Sequence, residues 1–125
     1  MADRQSEPRT QAEGATRSAF AEFACTVLEQ KRAEEIVLLD VSGVTDLADE
    51  FLIATITSPR QASAIVDECE KERKRRKLPC IGIEGANGSS WIVLDYGDLI
   101  VHLFMPEQRA YYGLEHLWAD ATKAG

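Results

Sequence analysis

The stretch WIVLDYGDLIVHLF, Trp91 to Phe104, gathers residue types that could do chemistry: an indole, two carboxylates (Asp95 and Asp98) and an imidazole, His102. Paired carboxylates suit acid–base work or metal binding. These two, however, bracket a tight turn, where Asp is favoured because its side chain bonds local backbone N–H groups. A metal site needs three or four convergent donors. The chain has two histidines, His102 and His116, in different segments. A serine nucleophile would call for a G-x-S-x-G elbow, which is absent. Cys25, Cys69 and Cys80 are odd in number, widely spaced and without a C-x-x-C, which reads as reduced, mostly buried thiols of a cytosolic protein. The residues therefore assign no catalytic, metal or cofactor role, and the chain is not read as an enzyme. A surface recognised by another macromolecule is the reading that remains.

The elements that must position these groups follow from periodicity. With Tyr96-Gly97 as a two-residue loop, Asp95 lies opposite Asp98, Val93 opposite Ile100, and Trp91 opposite His102. One face is then aliphatic: Ile92, Leu94, Leu99, Val101 and Leu103. It must be core. The other face mixes Trp91, Val93, Asp95, Asp98, Ile100, His102 and Phe104, too apolar to ignore and too polar to bury cheaply.

Upstream, Phe20, Phe23, Ala24, Val27 and Leu28 recur at helical spacing within an expected helix from about Ala15 to Arg32. IVLLDV and FLIATIT read as strands, joined by a loop in which Asp46 and Asp49 are expected to bond backbone N–H groups. Ser58-Pro59-Arg60-Gln61 predicts a capped helix start with a capping box, and Ala62, Ile65, Val66 and Cys69 its inward stripe. CIGIEG is expected as a further strand, paired in parallel after a right-handed crossover. Pro106 opens a short helix, PEQRAYY, and LEHLWADA a further turn. The sum is an α/β domain with a small mixed five-stranded sheet and helices mainly on one face.

The 125 residues suit one domain, 15–125, after a polar tail, 1–14. The tail lacks the apolar segment of a signal peptide, and its acids weigh against a transit peptide, so the expected location is cytoplasmic. No run approaches the roughly 20 apolar residues of a membrane span. The net charge of −7 excludes general nucleic-acid binding and fits a basic protein partner. It is unevenly spread. Lys71, Arg73, Lys74, Arg75, Arg76 and Lys77 cluster in KERKRRK at the expected end of the second helix, where cations complement the helix dipole. With no interleaved aromatics the run is no stacking platform, and an accessory RNA contact is its second reading.

DYGDLIVHLFMPEQRAYYGLEHLW resembles the C-terminal signature of the ribosomal silencing factor family, also called Iojap proteins. LLDVSGVTDLADEFLIATITSPRQASAIVDE resembles its upstream motif, and the likeness runs from Glu34 to Ala121. Trp91, Asp95, Tyr96, Gly97, Asp98, His102, Phe104, Arg109, Tyr112, Leu114, Glu115 and Trp118 match by position, as do Asp49, Thr55 and Ser58 upstream. Glu50, Ile56 and Met105 depart from it, standing where an aromatic residue, Gly and His are common.

The resemblance implies a nucleotidyltransferase-like fold without the catalytic residues and no cofactor. It implies a translational repressor that binds the large ribosomal subunit through a universal large-subunit protein at the inter-subunit face. Joining of the small subunit would be blocked when nutrients are scarce. Trp91, Asp95, Tyr96, Asp98, His102 and Phe104 are then the expected docking face, with ribosomal RNA a secondary contact of the basic run. The alternative covers for Trp91 are a helix or a second copy of the chain, a homodimer off the ribosome. Two other functions fit the sequence less well: an RNA-binding adaptor in ribosome assembly, and a degenerate nucleotidyltransferase.

Overall fold

A computed structural model describes residues 18–85, 90–107 and 122–123. In chain order they form α1 (Ala19–Gln30), β1 (Glu34–Asp40), β2 (Glu50–Thr55), α2 (Pro59–Arg75), β3 (Gly82–Glu84), β4 (Trp91–Asp95), β5 (Leu99–Phe104) and β6 (Thr122–Lys123). The strands make one mixed sheet in the order β3-β4-β5-β2-β1-β6. The five expected strands are present, and β6 adds a sixth beside β1.

The crossover differs from expectation. The parallel partner of β2 is β5, with Glu50 opposite Leu99 and Thr55 opposite Phe104. β3 instead pairs antiparallel with β4 at the sheet edge. It runs in the same direction as β2, but the β4–β5 hairpin lies between them. The apolar density of β5 explains the insertion: every residue from Leu99 to Phe104 is buried, whereas β3 has three residues, two of them exposed. The strand that can be covered on both faces takes the centre.

The helices lie on one face of the sheet. Phe20, Ala24, Val27 and Leu28 of α1 and Ala62, Ile65 and Cys69 of α2 share a core with Leu38, Leu52, Ala54, Ile92, Leu94, Leu99, Val101 and Leu103. Burial pushes the Cys69 thiol up to about 12, so it stays protonated. The opposite face carries a smaller cluster: Leu39, Val41, Ala48, Phe51, Ile53, Ile100 and Phe104, with Val37, Trp91 and Val93 partly covered against it.

The start of α2 is where the sequence put it, while α1 starts at Ala19 and not near Ala15. Ser18 caps α1 by accepting from Ala21 N, and Ser58 caps α2 by accepting from Gln61 N, with Pro59 in the first turn. The expected capping box is modified. Gln61 Oε1 accepts from Thr57 N at 2.7 Å, and its Nε2 donates to Lys31 O at 2.9 Å. One side chain thus ties the start of α2 to the end of α1. In the β1–β2 loop the side chains that bond backbone are Asp40 (to Ser42 N) and Thr45 (to Leu47 N) rather than the expected Asp46 and Asp49. Of the helix expected from Pro106, Pro106 and Glu107 are described and helical; its remainder and the turn after Gly113 lie outside the described residues.

Candidate protein-docking site

The hairpin register is displaced from expectation by two residues. Trp91 pairs with Phe104, Val93 with His102 and Asp95 with Ile100. Tyr96 N donates to Leu99 O, which makes Gly97-Asp98 the two-residue loop. Gly97 has φ +87°, as the first central position of a type II′ turn requires. The side-chain period is two, so a slip of two changes partners but not faces. Trp91, Val93, Asp95, Ile100, His102 and Phe104 still share one side.

On that side the aromatics stack into one block. Trp91 and Phe104 rings are 5.0 Å apart at 25°, and Phe51 and His102 rings 4.8 Å apart. His102 also lies parallel to Phe104, at 10°. Trp91 Nε1 donates to His102 Nδ1 at 3.3 Å, across the diagonal of the strand pair. Accepting at Nδ1 requires the neutral imidazole with its proton on Nε2. Burial supports this state, pushing His102 down to about 4 against a smaller upward pull from Asp95. The Nε2–H is buried with no acceptor, a cost of about 1–3 kcal/mol. That expense holds the indole in one orientation.

Exposure separates the six expected docking residues. His102 (7% exposed) and Phe104 (1%) support Trp91 from beneath and offer no side-chain surface to a partner. Tyr96 (5%) is not on this face at all. It meets Phe20 edge-on with ring centroids 5.1 Å apart, and its hydroxyl donates to Glu70 Oε2 at 2.8 Å. Burial and that bond both push the phenol far above its ordinary range. Trp91 is half-buried, Asp95 half-buried and Asp98 exposed. Asp95 Oδ1 accepts from Gly97 N at 3.0 Å, the local turn bond expected of it. The Asp98 carbonyl accepts from Asp49 N and Glu50 N, which pins the turn to the β1–β2 loop and leaves its carboxylate outward.

Gly85 ends the expected strand CIGIEG, and nothing in the sequence marks it for a special role. A Cβ there would sit 2.1 Å from the Trp91 carbonyl oxygen, and φ is +82°. Only glycine lets β3 close against the start of β4 under the indole.

The basic run is largely spent within its own helix. Arg73 bonds Glu70 through Nε and Nη2 and donates from Nη1 to Leu78 O at 3.2 Å. Arg75 and Arg76 both pair with Glu72, holding its carboxyl down to about 2. Burial raises the Glu70 carboxyl, but bonds from Arg73 and Tyr96 outweigh it and leave the group below its ordinary value. Lys71, Lys74 and Lys77 are exposed. Among the described residues no cluster of three or more His, Cys, Asp or Glu is arranged to hold a metal ion.

A sequence profile described as "Ribosomal silencing factor during starvation" matches residues 14–124. The chain belongs to the ribosomal silencing factor family. It is 37% identical over 102 residues to ribosomal silencing factor RsfS of Bacillus subtilis, covering 82% of this chain and 86% of that protein. It is 40% identical over 101 residues to RsfS of Haemophilus influenzae, covering 81% and 99%. A crystal structure of a protein from Chromobacterium violaceum superimposes with a TM-score of 0.74 at 32% identity, covering 80% of this chain and 83% of that one. A more distant relative is the mouse protein named mitochondrial assembly of ribosomal large subunit protein 1, 34% identical over 96 residues, 74% of this chain and 42% of that protein. The upstream motif is described in full, and the C-terminal signature as far as Glu107. Arg109, Tyr112, Leu114, Glu115 and Trp118 lie outside the described residues.

Proposed function

We propose that this ribosomal silencing factor represses translation sterically. It docks on the large ribosomal subunit and occupies the face that the small subunit must meet. The partner is a basic large-subunit protein at that face, and the site of action is the cytoplasm. No turnover, cofactor or nucleotide takes part. Family membership supports the silencing role, and the name of the mouse relative supports a large-subunit link.

The observation that carries the docking surface is the preset indole of Trp91. It is half-exposed, held by His102 and backed by buried aromatics; Asp95 shares its face roughly 13 Å along β4, with Asp98 on the turn beyond. A rigid aromatic anchor beside charges opposite to the partner's is the composition that dominates binding energy and steers encounter. His102 and Phe104 act from beneath, as supports, and Tyr96 fixes the hairpin to the helix side. The test is co-sedimentation with separated subunits, followed by a subunit-joining titration. Binding to large subunits alone, with joining suppressed in proportion to occupancy, is the expected result. Binding to neither subunit, or joining unaffected at full occupancy, would refute the mechanism.

A further inference from the structure

A cleft of about 280 Å³ opens between the start of α1, the end of α2 and the hairpin turn. Its walls are apolar: Phe20, Leu78, Pro79, Tyr96 and Leu99. Two charged side chains of opposite sign complete it, Arg76 and Asp98. They make no ion pair with one another among the described residues. Arg76 is engaged through Nε alone, which bonds Glu72, while its guanidinium lies over the rings of Phe20 and Phe23 at 5.8 and 5.3 Å. Its terminal nitrogens stay available on the cleft side. The Asp98 carboxylate makes no side-chain bond among the described residues, and its backbone is pinned by Asp49 and Glu50. Arg76 shares its charge with Glu72 through Nε but keeps its terminal nitrogens, and Asp98 keeps its carboxylate, for a ligand in the cleft.

A separated cation and anion on the rim of an apolar cleft are complementary to a dipolar ligand with an apolar body. The volume lies at the small end of ligand sites, roughly 300–1,000 Å³, which excludes a nucleotide-sized molecule and admits a single amino acid. We propose that this cleft binds a free apolar α-amino acid of the leucine or phenylalanine class. Arg76 takes the carboxylate, Asp98 takes the ammonium, and the side chain lies against Phe20, Tyr96 and Leu99. A charged group is favoured by a fixed opposite charge and rejected where that partner is left bare, so both ends of the ligand are read.

A regulatory consequence rests on the docking reading above. Asp98 belongs to both sites, so an amino acid that occupies its carboxylate competes with the basic ribosomal partner. Silencing would then weaken when amino acids are plentiful and strengthen when they are scarce.

The experiment is an amide NMR titration of the full chain with L-leucine and L-phenylalanine. N-acetyl-L-leucine, which lacks the ammonium, and L-leucinamide, which lacks the carboxylate, are run in parallel. Saturable shifts at Phe20, Leu78 and Leu99 are expected, with each blocked ligand and Asp98→Asn weakening binding about tenfold or more. Arg76→Lys keeps the charge and retains part of the affinity, where Arg76→Gln does not. The absence of saturable shifts, or equal binding of N-acetyl-L-leucine, would overturn the proposal.

Co-sedimentation with large subunits at saturating leucine then reads the competition. Reduced occupancy with wild type, and none of that reduction with Arg76→Gln, which is outside the docking face, is the expected pattern. Unchanged occupancy beside a saturable NMR titration overturns the competition and keeps the pocket. Normal binding by Trp91→Ala would instead remove the docking reading on which the competition stands.

Discussion

Trp91 and His102 form one structural unit, because the indole is held through a bond that only neutral His102 can accept. Trp91→Ala should weaken large-subunit binding by about 2 kcal/mol or more, roughly thirty-fold, measured by co-sedimentation across a concentration series. His102→Leu removes the acceptor and His102→Asn places an oxygen near Nδ1. The first should move the Trp91 indole N–H resonance and lower affinity, and the second should recover most of both; identical behaviour of the two would mean that His102 only fills space. The same residue predicts a pH dependence. Its value is lowered from 6.5 to about 4 by burial, so the unfolded chain takes up the proton first. The stabilisation is complete above pH 6.5 and is lost as pH falls through 4, on the order of 3 kcal/mol in all. Urea unfolding from pH 4 to 7.5 should show a steeper loss in wild type than in His102→Asn.

Among the elements, one helix start was placed from the sequence and one was not. Ser58 was legible as a cap because Pro59 and Gln61 follow it, whereas α1, expected from about Ala15, starts at Ala19 behind Ser18. Both helices end in a left-handed residue that is not glycine: Arg32 at φ 65° and Lys77 at φ 59°. Lys77 sits in a Schellman-type closure, with Leu78 N donating to Arg73 O and Lys77 N to Lys74 O. Lys77→Gly should therefore stabilise the fold by about 1 kcal/mol, read as a higher urea midpoint at unchanged slope. A midpoint shift in the other direction would mean that the lysine stem contributes packing that outweighs the strain. The hairpin teaches a related lesson. Alternation assigned its two faces correctly, while the loop was misplaced because Tyr96-Gly97 and Gly97-Asp98 both offer a two-residue turn. The φ of Gly97, at the first central position, selects the second.

At the scale of the whole molecule, charge is sorted by pairing as well as by position. The arginines of the basic run are bonded to Glu70 and Glu72, and the three lysines, Lys71, Lys74 and Lys77, face solvent. Changing those three lysines to Gln should leave large-subunit binding within about twofold at physiological salt, since solvated charges away from the docking turn contribute little. A loss of tenfold with a flattened salt dependence would restore the RNA contact. The order of elements, the aliphatic face of the hairpin, the Ser58 cap of α2 and the family motif were determined by the sequence alone, because each rests on neighbours within a few residues. Three things were decided only by tertiary structure. β5 lies between β2 and β4, Tyr96 turns to the helix side while His102 and Phe104 sink beneath Trp91, and Gly85 must clear the Trp91 carbonyl. Each depends on which distant segments compete for the same buried space, and that competition is settled by packing across the sheet rather than by any local preference.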